Sequence, residues 1–196
     1  MSALEFRPWP KTPRLKRSMV VSEKIDGTNA CVIVTEDGQV GAQSRNRLIE
    51  PGKDNAGFAL WAYANAAELA DILGPGYHYG EWWGSGIQRG YGLSAGERRF
   101  SLFNVPRWRF VLPEKLAFRE REGLPVPEGL GVVPELYEGD FSTEKIVELT
   151  TDLDDGGSIA APGFMRPEGV IVYLPAANQG FKVLLENDHL PKGANA

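Results

Sequence analysis

The sequence predicts an α+β fold with largely antiparallel sheets and flanking helices. β-favouring runs outnumber helical ones. The two kinds do not alternate in the regular way a doubly wound sheet requires. Asp37-Gly38 separates two of the β-favouring runs as a tight hairpin turn would. The length of 196 residues, 42 % apolar and 24 % charged, suits one soluble globular domain and excludes disordered and fibrous classes. A single domain over residues 1–196, without a separate C-terminal domain, is expected.

The elements follow in order. Residues 7–17 carry Pro8, Pro10 and Pro13 and read as irregular. Strands are expected at 19–24, 30–35 and 39–44, the last two joined by Asp37-Gly38. Residues 55–73 read as one alanine-rich helix with Phe58, Trp61, Leu69, Ile72 and Leu73 near one face, stopped by Gly74-Pro75-Gly76. Further strands are expected at 77–82, 100–105, 132–137, 169–174 and 180–185. Short helices are expected at 114–122 and 142–149, the second capped by Ser142. Residues 152–167 read as a loop.

Composition bounds the setting. Cys31 is the only cysteine, so no internal disulfide can form, and its apolar neighbours mark it as a core residue. No apolar run is long enough for a membrane span, and the N-terminus lacks a signal-peptide layout. A monomer in a reducing cytoplasm, away from membranes, is the expectation. A net charge of −5 argues against non-specific nucleic-acid binding. Two basic clusters stand out: Lys11, Arg14, Lys16 and Arg17, and Arg98, Arg99, Arg107 and Arg109. Each is either a solvated loop or a phosphate-facing edge.

The sharpest local feature is Glu23-Lys24-Ile25-Asp26-Gly27-Thr28-Asn29. A lysine closes an apolar strand, and a glycine that permits a tight turn follows. The lysine is either a snorkelling side chain or a nucleophilic amine. Later elements add weight to the second reading. Arg45 ends a hairpin strand. Glu81 lies within the aromatic run Tyr79-Gly80-Glu81-Trp82-Trp83. Phe103 lies in Phe100-Ser101-Leu102-Phe103-Asn104, Glu168 precedes a strand, and Lys182 lies inside one. Attack on a nucleoside triphosphate needs such a set: an amine, a carboxylate for a hard divalent cation, cations for phosphates, a polar group for ribose and an aromatic face for a base.

In its order of elements, from about residue 20 to residue 186, the chain resembles the covalent nucleotidyltransferase superfamily. Within it the chain looks most like the RNA ligase 2 family of ATP-dependent RNA ligases. The resemblance implies an adenylation-domain fold and a three-step reaction. In it Lys24 becomes linked to AMP, AMP passes to an RNA 5′-phosphate, and a 3′-hydroxyl seals the break. It implies ATP as substrate, Mg2+ or Mn2+, and RNA with 5′-phosphate and 3′-hydroxyl ends, including nicked duplex, as partner. Glu23 would sit against the base, through its side chain or its backbone, and Asn29 near phosphate. Arg45 would contact phosphate or ribose, Glu81 would bind the ribose hydroxyls, and Phe103, with Phe100 as the alternative, would stack on the purine. Glu168 would be the metal-side carboxylate, and Lys182 the first lysine of the last motif. Two departures follow. The usual Lys-x-Lys of that motif is Lys182-Val183-Leu184, so Lys192 or a lysine of the 11–17 region would have to supply the second cation. The usual Asp after the stacking aromatic is Asn104. With the chain ending about ten residues later, adenylylation of Lys24 is expected to outpace sealing. DNA ligase, guanylyltransferase and a non-sealing binder of nucleic-acid ends share the pattern.

Overall fold

The computed structural model describes residues 6–12, 17–54, 56–186 and 188. Two sheets form a cleft. One has six strands in the order β4-β3-β2-β5-β6-β7: β1 lies elsewhere, and these are β2 (Thr28–Val34), β3 (Val40–Ser44), β4 (Leu48–Ile49), β5 (Gly76–Gly84), β6 (Arg98–Leu102) and β7 (Leu130–Val132). The other has four, in the order β10-β9-β1-β8: β1 (Ser18–Lys24), β8 (Glu135–Asp140), β9 (Gly169–Leu174) and β10 (Gln179–Leu184). Every pairing is antiparallel except β6 with β7. The α+β expectation therefore matches the architecture.

Helices α1 (Phe58–Ala64), α2 (Ala66–Leu73) and α4 (Val111–Arg121) cover the six-stranded sheet, and short α3 (Val105–Trp108) leads into α4. Their common core gathers Phe58, Leu69, Ile72, Trp82, Phe100 and Leu112. The Phe58 ring lies 5.0 Å from Phe100 and 5.5 Å from Trp82, so truncating it to alanine would cost about 3–5 kcal/mol. Helix α5 (Thr143–Gly156) packs on the four-stranded sheet through Leu153, against Met19, Val21, Val170 and Val172.

Three boundaries depart from expectation for identifiable reasons. The single helix over 55–73 is two, broken at Asn65, whose φ of −110° and ψ of 25° leave the helical region and whose side-chain amide joins its own N–H on the Trp61 carbonyl; residue 55 lies outside the described residues. The strand expected over 132–137 is two, because the chain leaves one sheet and enters the other at Val133-Pro134, and proline has no N–H for a ladder. The strand over 100–105 stops at Leu102, since Asn104 accepts from the Arg107 N–H and caps α3. Ser142 caps α5 as expected, but that helix runs on to Gly156, into the segment read as a loop.

Candidate active site

Strand alternation at the end of β1 sets up the site. Met19, Val21 and Glu23 face one way, toward α5 and the segment after it; Val20, Ser22 and Lys24 face the cleft between the sheets. β1 is central in its sheet, and Lys24 pairs in register with Gly169 of β9. That register brings Glu168, one residue before β9, to Lys24: Nζ donates to Oε2 at 2.5 Å, with the side chains 22 % and 17 % exposed. Gly169 is needed there. Its φ is +149°, and an added Cβ would lie 2.1 Å from the Val183 carbonyl oxygen of β10.

Glu81 comes from the other sheet, paired with Asn29 across β5 and β2. Its carboxylate accepts from the Gly27 N–H at 3.0 Å and from the Asn29 amide at 3.1 Å. Arg45 donates to the Asn29 side-chain oxygen and completes a chain of polar groups. Burial pushes the Glu81 carboxyl up to about 7, against the pull of Lys24 and the Gly27 hydrogen bond; the charges of Glu168 and Asp26 add to the rise. Gly27 has a second duty that the turn alone does not explain. A Cβ there would lie 2.5 Å from the Trp82 carbonyl oxygen and 2.8 Å from the Trp83 Cβ, so only glycine lets the loop lie against β5.

Lys24, Arg45, Glu81, Phe103, Ile171 and Lys182 line one cavity of about 380 Å³, a volume suited to a small ligand. A more polar recess of about 390 Å³ adjoins it, bounded by Lys24, Asp26, Asn29, Arg45 and Glu81. Lys182 is exposed and opposite Ile171, and Phe103 is 42 % exposed. Leu184 shares the face of β10 that carries Lys182 and is half-buried; its N–H donates to Asp188. Lys192 lies outside the described residues. Among the described residues no group of three or more His, Cys, Asp or Glu side chains is placed to hold a metal ion. A hard cation here would rest on Glu168, water and the ligand's own oxygens.

One expected site residue directs its side chain away from the cavity while still lining it. Glu23 lines the cavity, but its carboxylate points to the opposite face and is 1 % exposed. It accepts from the Ser158 hydroxyl at 2.5 Å and from the N–H groups of Ile159 and Ala160 at 2.9 and 2.8 Å. Burial pushes its carboxyl up, and these donors oppose the rise. Its neighbour on a strand is Lys24, so both side chains cannot face one pocket.

Three of the four arginines of the second basic cluster are held by partners within the fold, and Arg107 is exposed. Arg98 donates to the carbonyls of Ser85 and Ala56, Arg99 pairs with Glu97, and Arg109 pairs with Glu135 and Glu138. Of the first cluster, Lys11 and Arg17 are exposed, while Arg14 and Lys16 lie outside the described residues.

Arg89 and Tyr91, in the glycine-rich segment after β5, belong to the site without having been anticipated. Arg89 pairs with Asp26 at 3.1 Å and Glu186 at 3.3 Å, and donates to the carbonyls of Arg166 and Pro167. The buried Tyr91 hydroxyl accepts from the Asp26 N–H at 2.8 Å. Tyr91 holds a φ of +52°, a conformation costly for a non-glycine residue. Together they fasten the turn after Lys24 to the segment carrying Glu168. The only hint in the sequence is one arginine and one tyrosine amid several glycines.

No curated protein matches the chain closely enough to count as a relative. Among solved structures, an RNA ligase of Naegleria gruberi, a variant bound to ATP and Mn, is similar with a TM-score of 0.61 and 21 % identity over 86 % of this chain and 49 % of that one. A second variant of it with ATP and Mn gives 0.61 and 21 %, over 87 % and 50 %. A third, with AMP and Mn, gives 0.57 and 20 %, over 86 % and 49 %. The chain spans about half the length of these structures, and at this identity the likeness is one of fold. The family model for RNA ligase matches residues 17–184, nearly the whole of the described chain, and on that match the chain belongs to the RNA ligase family.

Proposed function

We propose that this chain is the adenylation domain of an ATP-dependent RNA ligase and that Lys24 is its nucleophile. The observation that carries the reading is the Lys24–Glu168 contact at a strand end, inside a cleft that also holds Glu81, Arg45, Phe103 and Lys182. Membership of the RNA ligase family and a fold like that of a ligase solved with ATP and Mn support it.

Lys24 attacks as a free amine. Its Nζ forms a bond to the α-phosphorus of ATP, the bond from that phosphorus to the bridging oxygen breaks, and pyrophosphate leaves. Glu168, already hydrogen-bonded to Nζ, is the nearest base for the departing proton. Glu81 binds the ribose hydroxyls, Phe103 stacks on the purine, and Lys182, Arg45 and Asn29 face the phosphates. A magnesium or manganese ion, when bound, offsets phosphate charge, and Glu168 is the carboxylate in the cleft that would hold it. An RNA 5′-phosphate then displaces Lys24 from AMP, and attack by a 3′-hydroxyl releases AMP and joins the strands. The RNA ligase 2 type, the cytoplasm and the monomer belong to this proposal as well.

The test is covalent labelling. The purified chain incubated with α-labelled ATP and magnesium should carry label through a denaturing gel. Lys24→Ala and Lys24→Arg should carry none, since a guanidinium stays protonated. Label retained by Lys24→Ala would remove Lys24 as nucleophile, and label from GTP in place of ATP would make the activity guanylyl transfer.

A further inference from the structure

Beside the nucleotide cavity runs a second groove, of about 310 Å³, between β5 and α3 on one side and β1 and β9 on the other. Ser22, Phe103 and Ile171 line both, so the groove is continuous with the cavity. Its other walls are Tyr77, Tyr79, Arg107 and Tyr173. Strand alternation sets Tyr77, Tyr79 and Glu81 on one face of β5, in a row that leads away from Lys24. The two tyrosines are 60 % and 54 % exposed. Their rings lie within 16° of parallel, with centroids 6.3 Å apart. Arg107 is exposed at the rim, its guanidinium over the Trp108 ring, and no carboxylate pairs with it among the described residues.

We propose that this groove binds the unpaired bases next to an RNA end, stacked on Tyr77 and Tyr79, with a backbone phosphate at Arg107. The proposal rests on the RNA ligase reading and deepens it by naming single-stranded ends as the substrate the groove admits. Exposed aromatic rings on a sheet face take any unpaired base, since every base has a π-face, whereas duplex bases are already stacked and paired. Continuity with the cavity decides the occupant. A strand whose terminal phosphate meets AMP at Lys24 must leave along some wall of the cleft, and this wall offers two parallel exposed rings in a row leading away from Lys24, with an unpaired cation at its rim.

The experiment compares wild type with Tyr77→Ala/Tyr79→Ala and Tyr77→Phe/Tyr79→Phe. It measures affinity for a short, 5′-phosphorylated, mixed-sequence single-stranded RNA by fluorescence anisotropy without ATP, and labelling of Lys24 with ATP on the same samples. The alanine pair should bind about five- to about a hundredfold more weakly, the phenylalanine pair like wild type, and labelling should hold within about twofold. Wild type should bind an oligonucleotide abasic at its terminal positions as weakly as the alanine pair binds the intact one. A blunt duplex should not distinguish the proteins. Equal affinity of wild type and the alanine pair, or undiminished binding of the abasic strand, overturns the proposal. So does a wild-type dimer in sedimentation that the alanine pair abolishes, which would make the groove an interface between copies. If the alanine pair also loses labelling, the phenylalanine pair and the abasic strand decide. Absence of labelling in wild type sinks the ligase reading, while the binding arm still judges the groove.

Discussion

Glu23 and Glu168 lie on either side of the same lysine and show opposite designs. Glu23 is buried on the α5 side of β1 and accepts from three donors, two of them backbone N–H groups. Glu168, on the cleft side, is partly exposed, and its hydrogen bond is to the movable ammonium of Lys24. A carboxylate satisfied by fixed donors is committed to holding a loop in place. One whose partner is a flexible side chain in an open cavity can exchange that partner for a ligand or a metal. On the proposed reading, the difference separates the residue that shapes the site from the residue that acts in it.

The pair can be broken apart by mutation. Glu168→Ala should leave thermal stability nearly unchanged and slow adenylylation of Lys24 by about a hundredfold or more, the usual scale for losing an electrostatic contact to the reacting group. Glu23→Ala should instead strand the Ser158 hydroxyl and two backbone N–H groups in the interior. That costs about 3 kcal/mol and lowers the melting temperature by on the order of 10 °C. Glu23→Gln should recover most of the loss, because its carbonyl oxygen can accept from the two backbone N–H groups while its amide donates to the Ser158 hydroxyl, which also accepts. Calorimetry and a labelling time course on both variants check this, and a large stability loss in Glu168→Ala with none in Glu23→Ala would reverse the assignment.

Much of this contrast is legible in the sequence. The alternation of a strand puts Glu23 and Lys24 on opposite faces, so once 19–24 reads as a strand, Glu23 cannot direct its carboxylate at Lys24's ligand. Local pattern sufficed for β1, β9, the Asp37-Gly38 hairpin and the Ser142 cap, since each rests on neighbours in the chain. It could not show the passage between sheets at Pro134 or the helix break at Asn65, which depend on partners far away or on one residue's backbone angles. Gly27 looked like a turn glycine, but the cause visible in three dimensions is the backbone of β5 pressed against it. The arginines at 98, 99 and 109 looked basic only because Glu97, Glu135 and Glu138 were not yet beside them.

Arg89 tests whether position alone, without contact to the reacting atoms, matters in this site. Its guanidinium spans Asp26, Glu186 and the carbonyls just before Glu168. Arg89→Ala should therefore let the Lys24 turn and the Glu168 segment drift apart. Misplacement by ~1 Å can cost about a hundredfold, so a loss of about ten- to a hundredfold in the adenylylation rate is expected, with ATP affinity little changed. Arg89→Lys should recover little, since one ammonium cannot fork to both partners. An unaltered rate in Arg89→Ala would mean that Tyr91 alone fixes the turn.

The smallest expected effect is a pH dependence at Glu81. Its carboxyl sits at about 7, raised from 4.5 chiefly by burial. A raised carboxyl favours the neutral form in the folded state, so stability is highest below about 4.5 and falls as pH rises toward 7. Glu81→Gln should accordingly gain on wild type in melting temperature at pH 8 and not at pH 4. Binding should run the other way. Gly27 and Asn29 both donate to this carboxylate, so a proton on it would face existing donors, and the ionised form is the better acceptor for ribose hydroxyls. From pH 6 to pH 8 the ionised fraction climbs from about a tenth to about nine-tenths, which limits the gain in affinity to about tenfold. Adenosine is the ligand to use, because it has ribose hydroxyls and no titrating phosphate. Wild-type affinity should rise over that range, while Glu81→Gln stays flat and 2′-deoxyadenosine shows a shallower slope. A flat wild-type profile, or an equal rise in Glu81→Gln, would take Glu81 out of the ribose contact and leave it, like Glu23, as a carboxylate that only holds its loop.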